Sequence, residues 1–287
     1  MNGSPTVDAH QHFWWNPTEA DYPWMTGPVA PIRRTYAPED LEPVLAECGI
    51  DRTILVQTRS SQTETRRFLE LAARIDFIAG VVGWVDLMDT DVAATIRELR
   101  AAPGGEYLVG VRHQVHDEVD PAWLLRDDVQ RGLQAIGEAD LAYDLLVRTR
   151  ELPAALEVAR NFPNMRFVID HVAKPPIAAR EIDAWAEAMA PFGDLGNVCC
   201  KLSGMVTEAR WTTWTSDDLA PYVERVVRFF GSDRLLFGSD WPVCLLAASY
   251  RQVVEACRST LRSLPESAQQ SIFGLNAVRV YRLDRGR

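Results

Sequence analysis

The sequence is poor in the features that mark nucleic-acid-binding and membrane proteins. Basic residues are the minority, because 30 Lys and Arg stand against 40 Asp and Glu, a formal net charge of −10. Such a surface repels phosphate groups and anionic lipids, so we expect neither nucleic acid nor a membrane as a partner. No uninterrupted apolar stretch is long enough to cross a bilayer.

Cysteine is scarce. The five cysteines are odd in number and lack the spacing of a disulfide framework, which predicts reduced thiols. The first residues contain no basic segment followed by an apolar one, so no secretory signal is expected. Together these observations predict a cytoplasmic location.

Nucleotide-binding signatures and domain boundaries are also missing. No Gly-x-Gly-x-x-Gly follows a strand, and there is no phosphate-loop lysine motif. No linker, low-complexity tract or short repeat divides the chain, so we expect one domain spanning residues 1–287. A hydrophobic content of 47% supplies ample material for a large α/β core.

What the sequence does contain is a regular alternation of apolar runs and segments with helical spacing. The near-continuous apolar runs predict strands buried on both faces, as in a parallel sheet. These strands are expected at residues 6–10, 53–58, 77–85, 107–113, 142–147, 166–171, 198–203 and 235–240. Helices are expected from residues 38, 61 and 215, and over 91–100, 128–139, 152–161, 181–190, 246–257 and 266–281.

About eight β-then-α units in a chain of this size predict a (β/α)₈ barrel of the TIM type. A doubly wound open sheet is the alternative. Two connections, 13–35 and 204–215, are long and rich in aromatic residues. Long loops of this kind serve as lids or binding walls, and packing for stability is an equally good reading.

Polar residues stand where the predicted strands end. His10 and His12, two residues apart, would project from the same side of the first strand. In a barrel, the carboxyl ends of all strands face one space, so later strand ends can join this pair. The candidates are Gln57, Trp84, Arg112, His113, His171, Lys201, Ser203 and Asp240.

Three histidines and one aspartate in such a mouth could coordinate Zn²⁺ and leave one position for water. The ligands would be His10, His12, His171 and Asp240, and the ion would lower the pKa of the bound water to about 7. Asp240 would act as the general base that takes the proton from the attacking water. Taken singly, each histidine is more often a satisfied polar residue at a strand end, and Asp240 could cap the next segment. As a set the histidines favour a site, because four of the five in the chain fall at predicted strand ends.

Four further side chains are candidates for substrate binding: Gln57, Trp84, Arg112 and His113. Arg112 can hold a carboxylate or a pair of hydroxyls through two hydrogen bonds. A buried ion pair with an acid at another strand end is an equal alternative for Arg112.

These segments resemble the amidohydrolase superfamily, and within it the sugar-lactone hydrolase branch typified by L-fuconolactonase and L-rhamnonolactonase. The resemblance runs along almost the whole chain in its order and spacing. The matching segments are Asp8-Ala9-His10-Gln11-His12-Phe13-Trp14, Gly110-Val111-Arg112-His113, Tyr143-Asp144-Leu145-Leu146-Val147, Phe167-Val168-Ile169-Asp170-His171-Val172-Ala173-Lys174-Pro175-Pro176, Lys201-Leu202-Ser203-Gly204 and Phe237-Gly238-Ser239-Asp240-Trp241-Pro242.

The resemblance implies a distorted (β/α)₈ barrel that opens a sugar lactone to its aldonic acid. It implies that His10 and His12 are the first-strand pair, His171 the sixth-strand histidine and Asp240 the base that activates water. Metal-dependent members usually supply a fourth-strand Lys or Glu, a fifth-strand His, or both, and this chain supplies neither. The resemblance therefore implies either one divalent ion, with Zn²⁺ favoured, or metal-independent chemistry in which His171 and the first-strand pair polarise the carbonyl.

Other functions fit the same scaffold. One is hydrolysis of a dicarboxylate lactone, and another is decarboxylation of an aromatic acid. A non-catalytic sugar-binding barrel is the alternative from a different class. A small-molecule sugar lactone is the expected partner, and the sequence leaves the particular sugar, the ring size and the oligomeric state open.

Overall fold

Eight parallel strands, in chain order, form the central sheet of the structure, a computed structural model that describes residues 4–283. Helices connect successive strands, which is the TIM-type barrel expected from the alternation of strands and helices rather than the open-sheet alternative. The strands are β1 Val7–Gln11, β2 Arg52–Val56, β3 Ile78–Gly83, β4 Leu108–His113, β5 Ala142–Leu145, β6 Arg166–Ile169, β7 Val198–Leu202 and β8 Leu235–Phe237.

The seam between the first and last strands is irregular. Ladders join each strand to the next from β1 to β8, whereas β8 meets β1 only through a parallel bridge between Gln11 and Trp241. Two backbone hydrogen bonds complete this seam, from Asp240 N–H to the His10 carbonyl (2.8 Å) and from His12 N–H to the Trp241 carbonyl (2.7 Å). The barrel is therefore closed but distorted at the point where the candidate residues stand.

The α-helices surround the strands. Their bounds are α1 Pro38–Cys48, α2 Gln62–Ala72, α3 Val92–Ala101, α4 Asp127–Glu138, α5 Leu152–Asn161, α6 Asp183–Met189, α7 Met205–Glu208, α8 Ser216–Phe230, α9 Tyr250–Thr260, α10 Glu266–Gln270 and α11 Asn276–Tyr281. A π-helical turn, Ser271–Leu275, joins α10 to α11, so the predicted C-terminal helix is three consecutive helical segments.

Several predicted boundaries are wrong. Five strands end two or more residues before their predicted ends. After β6 and β8 the reason is local, because His171 and Asp240 have left-handed backbone conformations, with φ of 53° and 57°, that interrupt the ladder. The helix expected over 246–257 begins instead at Tyr250. Its true start is a capping box, in which Ser249 accepts from the Gln252 N–H and Gln252 reaches back to the Ser249 N–H.

The aromatic loop over 13–35 is largely packed down. Trp14 is buried and donates its indole N–H to the Arg34 carbonyl at 2.8 Å. Tyr22 is also buried, with its hydroxyl 3.1 Å from the Thr58 hydroxyl, while Trp24 remains 42% exposed. The second loop contains the short helix α7, which the sequence analysis did not predict.

The helix α11 lies against the N-terminal ends of the strands. The Arg166 guanidinium, at the start of β6, donates to the Val280 carbonyl at 2.9 Å. Tyr281 belongs to a small buried cluster with strand residues such as Ala142 and Val168. Its hydroxyl lies 2.9 Å from both carboxylate oxygens of Asp144 in β5. The helix α11 thus forms a floor beneath the barrel.

Within residues 4–283, no helix combines the length and apolarity that crossing a membrane requires. All five cysteines are buried and free.

The buried carboxylate of Asp8 ties the irregular seam together. One oxygen accepts from the backbone N–H of His10 (3.0 Å) and of Ser239 (2.9 Å), and the other accepts from the Tyr250 hydroxyl (3.0 Å). Burial raises the pKa of Asp8, and these hydrogen bonds oppose the rise. A single side chain therefore links β1, the segment after β8 and α9.

We expect Asp8→Ala to cost about 3–5 kcal/mol of unfolding free energy, because three buried donors lose their acceptor. The matched control is Tyr250→Phe, which removes one of the three hydrogen bonds and should cost about 1 kcal/mol. Urea unfolding of both variants measures the difference. Equal costs would show that Asp8 is not what holds the seam.

Candidate functional site

The structure brings His10, His12, His171 and Asp240 together at the carboxyl ends of the strands. The Nε2 atoms of His10 and His12 are 3.2 Å apart. Asp240 Oδ1 lies 3.8 Å from His10 Nε2, 3.4 Å from His12 Nε2 and 4.0 Å from His171 Nε2. Residues separated by more than two hundred positions in the sequence thus share one small space. All four side chains are buried.

Neighbouring groups fix how two of the imidazoles are turned. His12 Nδ1 lies 2.8 Å from the Val56 carbonyl, which can only accept, so the His12 ring carries its proton on Nδ1. Its Nε2 lone pair therefore faces His10. His171 Nδ1 lies 2.8 Å from the Ser203 hydroxyl, which leaves Nε2 facing Asp240.

An unusual backbone turn directly after β6 positions His171. Four consecutive residues, His171 to Lys174, have φ between 46° and 58°, the left-handed region. For residues other than glycine this conformation costs about 1–2 kcal/mol each, and for the β-branched Val172 it is rare. The Trp185 indole N–H holds the turn by donating to the Val172 carbonyl at 2.7 Å. Such stored strain is typical of functional sites.

Two glycines make room for the imidazoles. A Cβ at Gly204, whose φ is +63°, would lie 2.6 Å from His171 Nδ1. A Cβ at Gly238 would lie 2.8 Å from His10 Cβ. Neither position can carry a side chain unless His171 or His10 moves.

Burial and neighbouring charges set the protonation of the site. Burial lowers the pKa of His10 and of His171 well below the ordinary value, so both imidazoles are neutral at neutral pH. Burial would raise the pKa of Asp240, but His171 and His12 beside it bring that pKa below its ordinary value. The site therefore combines neutral imidazoles with an ionised carboxylate, the state required of a general base.

A buried network of charges lies directly behind His10. Arg112 Nη1 is 2.9 Å from Asp170 Oδ2 and 3.2 Å from His10 Nε2. Lys201 Nζ is 2.9 Å from Asp170 Oδ1, 2.5 Å from Asp144 Oδ2 and 3.2 Å from His10 Nδ1. Burial raises the pKa of Asp144 to about 6, against the effect of Lys201. Fixed positive charges thus contact both ring nitrogens of His10.

Asp144, Asp170 and Tyr281 were not predicted as site residues, and Lys201 was noted only for its position at a strand end. One signal could have singled Lys201 out, because this chain has just two lysines, Lys174 and Lys201, among its 30 basic residues. The compact ammonium offers three donors and fits among three acceptors where a planar guanidinium does not.

Arg112 and Gln57 lie behind the histidines. Arg112 is 3% exposed and forms the ion pair with Asp170, the alternative that the sequence analysis kept beside substrate binding. Gln57 is fully buried, and its amide donates to the Arg112 carbonyl and to Gln114 Oε1, each at 3.2 Å. Direct contact of these two side chains with a substrate stays a prediction.

Trp84 and His113 form a separate group at the mouth. The Trp84 indole N–H donates to His113 Nδ1 at 3.1 Å, so the His113 proton resides on Nε2, which lies 2.8 Å from Glu118 Oε1. The His113 ring stacks on Trp123 with centroids 4.3 Å apart. Aromatic faces of this kind suit the apolar faces of sugar rings, and substrate binding by Trp84 and His113 stays a prediction.

The donor atoms fit a divalent ion in type and spacing. Zn–N bonds of 2.0–2.1 Å place two nitrogens of a tetrahedral site about 3.3 Å apart, and His10 Nε2 and His12 Nε2 are 3.2 Å apart. Asp240 completes a set of three, and His10, Asp170 and His171 form a second set. Within each set, the ligand atoms lie within 4.8 Å of one another.

Comparison with known protein families gives one match over nearly the whole chain. The family described as amidohydrolase matches residues 7–283. The chain is 42% identical over 286 residues to an L-fucono-1,5-lactonase of Burkholderia ambifaria, which covers 97% of this chain and 96% of that protein. It is 37% identical over 292 residues to an L-fucono-1,5-lactonase of Burkholderia multivorans, with 98% and 97% covered.

The chain also resembles solved structures of an amidohydrolase. An amidohydrolase from Burkholderia multivorans has been crystallised with bound HEPES and with bound Zn. Both crystal structures superpose on this chain with a TM-score of 0.92 at 36% identity, covering 97% of this chain and 99% of theirs.

We expect Gly204→Ala to displace His171 and to cost about 2–4 kcal/mol of unfolding free energy, since it adds both a left-handed alanine and a clash. Gly196→Ala is the matched control, because a Cβ there meets nothing within 4 Å. Chemical denaturation and a crystal structure of each variant provide the measurements. An unmoved His171 in Gly204→Ala would contradict this account.

Proposed function

Because the chain belongs to the amidohydrolase family, we propose that it is a hydrolase that opens a neutral sugar lactone of the L-fucono-1,5-lactone kind to its aldonic acid. Two relatives that carry the name L-fucono-1,5-lactonase, 42% and 37% identical over nearly their full length, support this proposal. The single structural observation that carries it is the ionised Asp240, whose Oδ1 lies 3.4–4.0 Å from the Nε2 atoms of His10, His12 and His171.

Asp240 is the proposed general base and His171 its partner in binding the reacting carbonyl. The Asp240 carboxylate takes a proton from water, whose oxygen attacks the lactone carbonyl carbon. The imidazoles of His10 and His171 lie beside the position of the carbonyl oxygen and donate hydrogen bonds that stabilise the negative charge developing there, while His12, whose Nε2 carries a lone pair, orients His10. The bond between the carbonyl carbon and the ring oxygen then breaks, and Asp240 returns the proton to that oxygen, which becomes the free hydroxyl of the aldonic acid.

A divalent ion, with Zn²⁺ favoured, would be held by His10, His12, His171 and Asp240. When bound, such an ion supplies Lewis-acid polarisation of the carbonyl and a more acidic water. The roles of the side chains would stay the same with an ion bound. Asp240 would move the proton, and the buried network behind His10 would hold the His10 ring in place.

The charges at the mouth favour a neutral substrate over a dicarboxylate. Within residues 4–283, each cation close to the histidines already has a carboxylate partner. Arg112 pairs with Asp170, Lys201 with Asp144, and Lys174 with Glu208. A second carboxylate on the substrate would therefore meet no free positive charge, and Asp240 would repel it.

We expect Asp240→Asn to lower the turnover of a sugar lactone by about 10²–10⁴, the usual worth of a positioned general base. Circular dichroism should show an intact fold. The matched control is Asp76→Asn, an exposed carboxylate at the opposite end of the barrel, which should leave turnover unchanged. Turnover within a factor of a few of the unaltered enzyme would remove Asp240 from its role.

A substrate panel tests the class of reaction. We expect neutral sugar 1,5- or 1,4-lactones to be hydrolysed at least about tenfold faster, in kcat/KM, than dicarboxylate lactones, because a like charge opposes the latter. Aromatic acids should show no release of CO₂. Sugar binding without any hydrolysis would favour the non-catalytic barrel, and faster turnover of acidic lactones would favour the dicarboxylate alternative.

We expect hydrolysis to survive removal of metal ions, because Arg112 and Lys201 contact His10 and oppose a nearby divalent charge. Elemental analysis combined with activity before and after chelation measures this. Loss of activity that returns only with added Zn²⁺ would assign the polarising role to an ion.

A further inference from the structure

We propose that Lys201 is a positioning residue that makes His10 a hydrogen-bond donor to the site and thereby weakens the binding of a divalent ion there. The side chain lies in the middle of a buried strand and touches no open space. It acts through His10, whose Nδ1 is 3.2 Å from the ammonium nitrogen. The proposal goes beyond lactone hydrolysis, and it can be tested without any substrate.

The first step concerns the donors of Lys201. An ammonium group has three hydrogens and no acceptor. Its three neighbours are Asp144 Oδ2, Asp170 Oδ1 and His10 Nδ1, at 2.5, 2.9 and 3.2 Å. When the third hydrogen points at His10, Nδ1 must offer its lone pair, and the ring proton must then reside on Nε2.

The second step compares the two tautomers of His10. With the proton on Nε2, Lys201 donates to Nδ1 and Nε2–H faces the His12 Nε2 lone pair at 3.2 Å, so two contacts are satisfied, while Arg112 Nη1 loses Nε2 as an acceptor and keeps Asp170. With the proton on Nδ1, the ring N–H would face Asp170 Oδ1 at 3.3 Å but would also face the Lys201 ammonium, a second donor, at 3.2 Å. Two lone pairs would then face each other between His10 and His12, and only Arg112 Nη1 would donate to Nε2.

The third step follows for metal ions. A divalent ion needs the lone pair of His10 Nε2, so the ring proton must leave that atom, and Lys201 must give up its bond to Nδ1. The ammonium charge also repels the ion at short range in a buried site, where screening by solvent is weak. Lys201 therefore opposes the ion through both its hydrogen bond and its charge.

Two further contacts, from Lys201 to Asp144 and from Asp144 to Tyr281, hold Lys201 in this position. Asp144, which receives the shortest contact from Lys201, also accepts from the Tyr281 hydroxyl. Tyr281 stands in α11, the floor of the barrel. Tyr281 thus positions Asp144, Asp144 positions Lys201, and Lys201 orients the His10 ring.

The first test is the affinity for Zn²⁺, measured by calorimetry on the unaltered protein and on Lys201→Met. We expect Lys201→Met to bind Zn²⁺ at least about tenfold more tightly. Arg74→Met is the control, because it removes an exposed cation at the opposite end of the barrel, whose guanidinium donates to the Glu70 carbonyl of α2. Its Zn²⁺ affinity should stay within about twofold. Equal or weaker binding by Lys201→Met would overturn the proposal.

The second test asks whether Lys201 acts through His10. In a His10→Gln background, the further change Lys201→Met should no longer raise the Zn²⁺ affinity by this factor, because the ring that Lys201 orients is gone. A tenfold gain that persists in this background would show that Lys201 acts on the ion by charge alone, which overturns its role as a positioning residue.

The third test needs no variant of Lys201 and stands even if Lys201→Met fails to fold. Nitrogen-15 spectra report the tautomer of each imidazole, and the chain has only five histidines. His10, assigned by comparison with His10→Gln, should carry its proton on Nε2 in the metal-free protein. A proton on Nδ1 would overturn the proposal. Neither result depends on lactone turnover, so failure here and failure of the proposed hydrolysis are distinguishable.

Discussion

The hydrogen bonds of the Asp8 carboxylate are the constraint on which the arrangement of the site depends. The barrel has no regular ladder between β8 and β1, so this seam lacks the repeated backbone bonds that fix the other strand pairs. His10 stands on one side of the seam and Asp240 on the other. Since Asp8 accepts from the backbone of both flanking segments, it sets the distance between the proposed base and the histidine pair. The Asp8 hydrogen bonds therefore fix the positions of the two strands at this seam, as a ladder of backbone hydrogen bonds fixes the other strand pairs.

Behind the seam, two buried cations are paired with two buried carboxylates. Burying a single ion is costly, and burying two cations with two carboxylates that they contact is far less so. Arg112, Lys201, Asp144 and Asp170 form such a set. Breaking any one of these pairs would leave a charge without compensation, so the set behaves as a unit. Its position under His10 means that the stability of the barrel interior and the orientation of the His10 ring depend on the same contacts.

Much of this could be predicted from the sequence, and the failures have physical reasons. Apolar runs predicted all eight strands, because strands buried on both faces leave that pattern. The convergence of His10, His171 and Asp240 followed from the geometry of parallel strands. The ends of β6 and β8 could not be predicted, because left-handed residues such as Val172 and Asp240 carry no sequence signature. Lys201 lay in an otherwise apolar strand, where no local pattern reveals which distant carboxylates will meet it.

The floor helix α11 has a consequence for how the protein is made. The Tyr281 hydroxyl is the last contact in the chain of groups that ends at His10, which lies at the opposite end of the sequence. During synthesis on a ribosome, the first strand emerges early and waits while every other strand is added. His10 therefore acquires its final surroundings only after residue 281 has left the exit tunnel. The order of translation thus delays the finished geometry around this ring until the floor of the barrel is present.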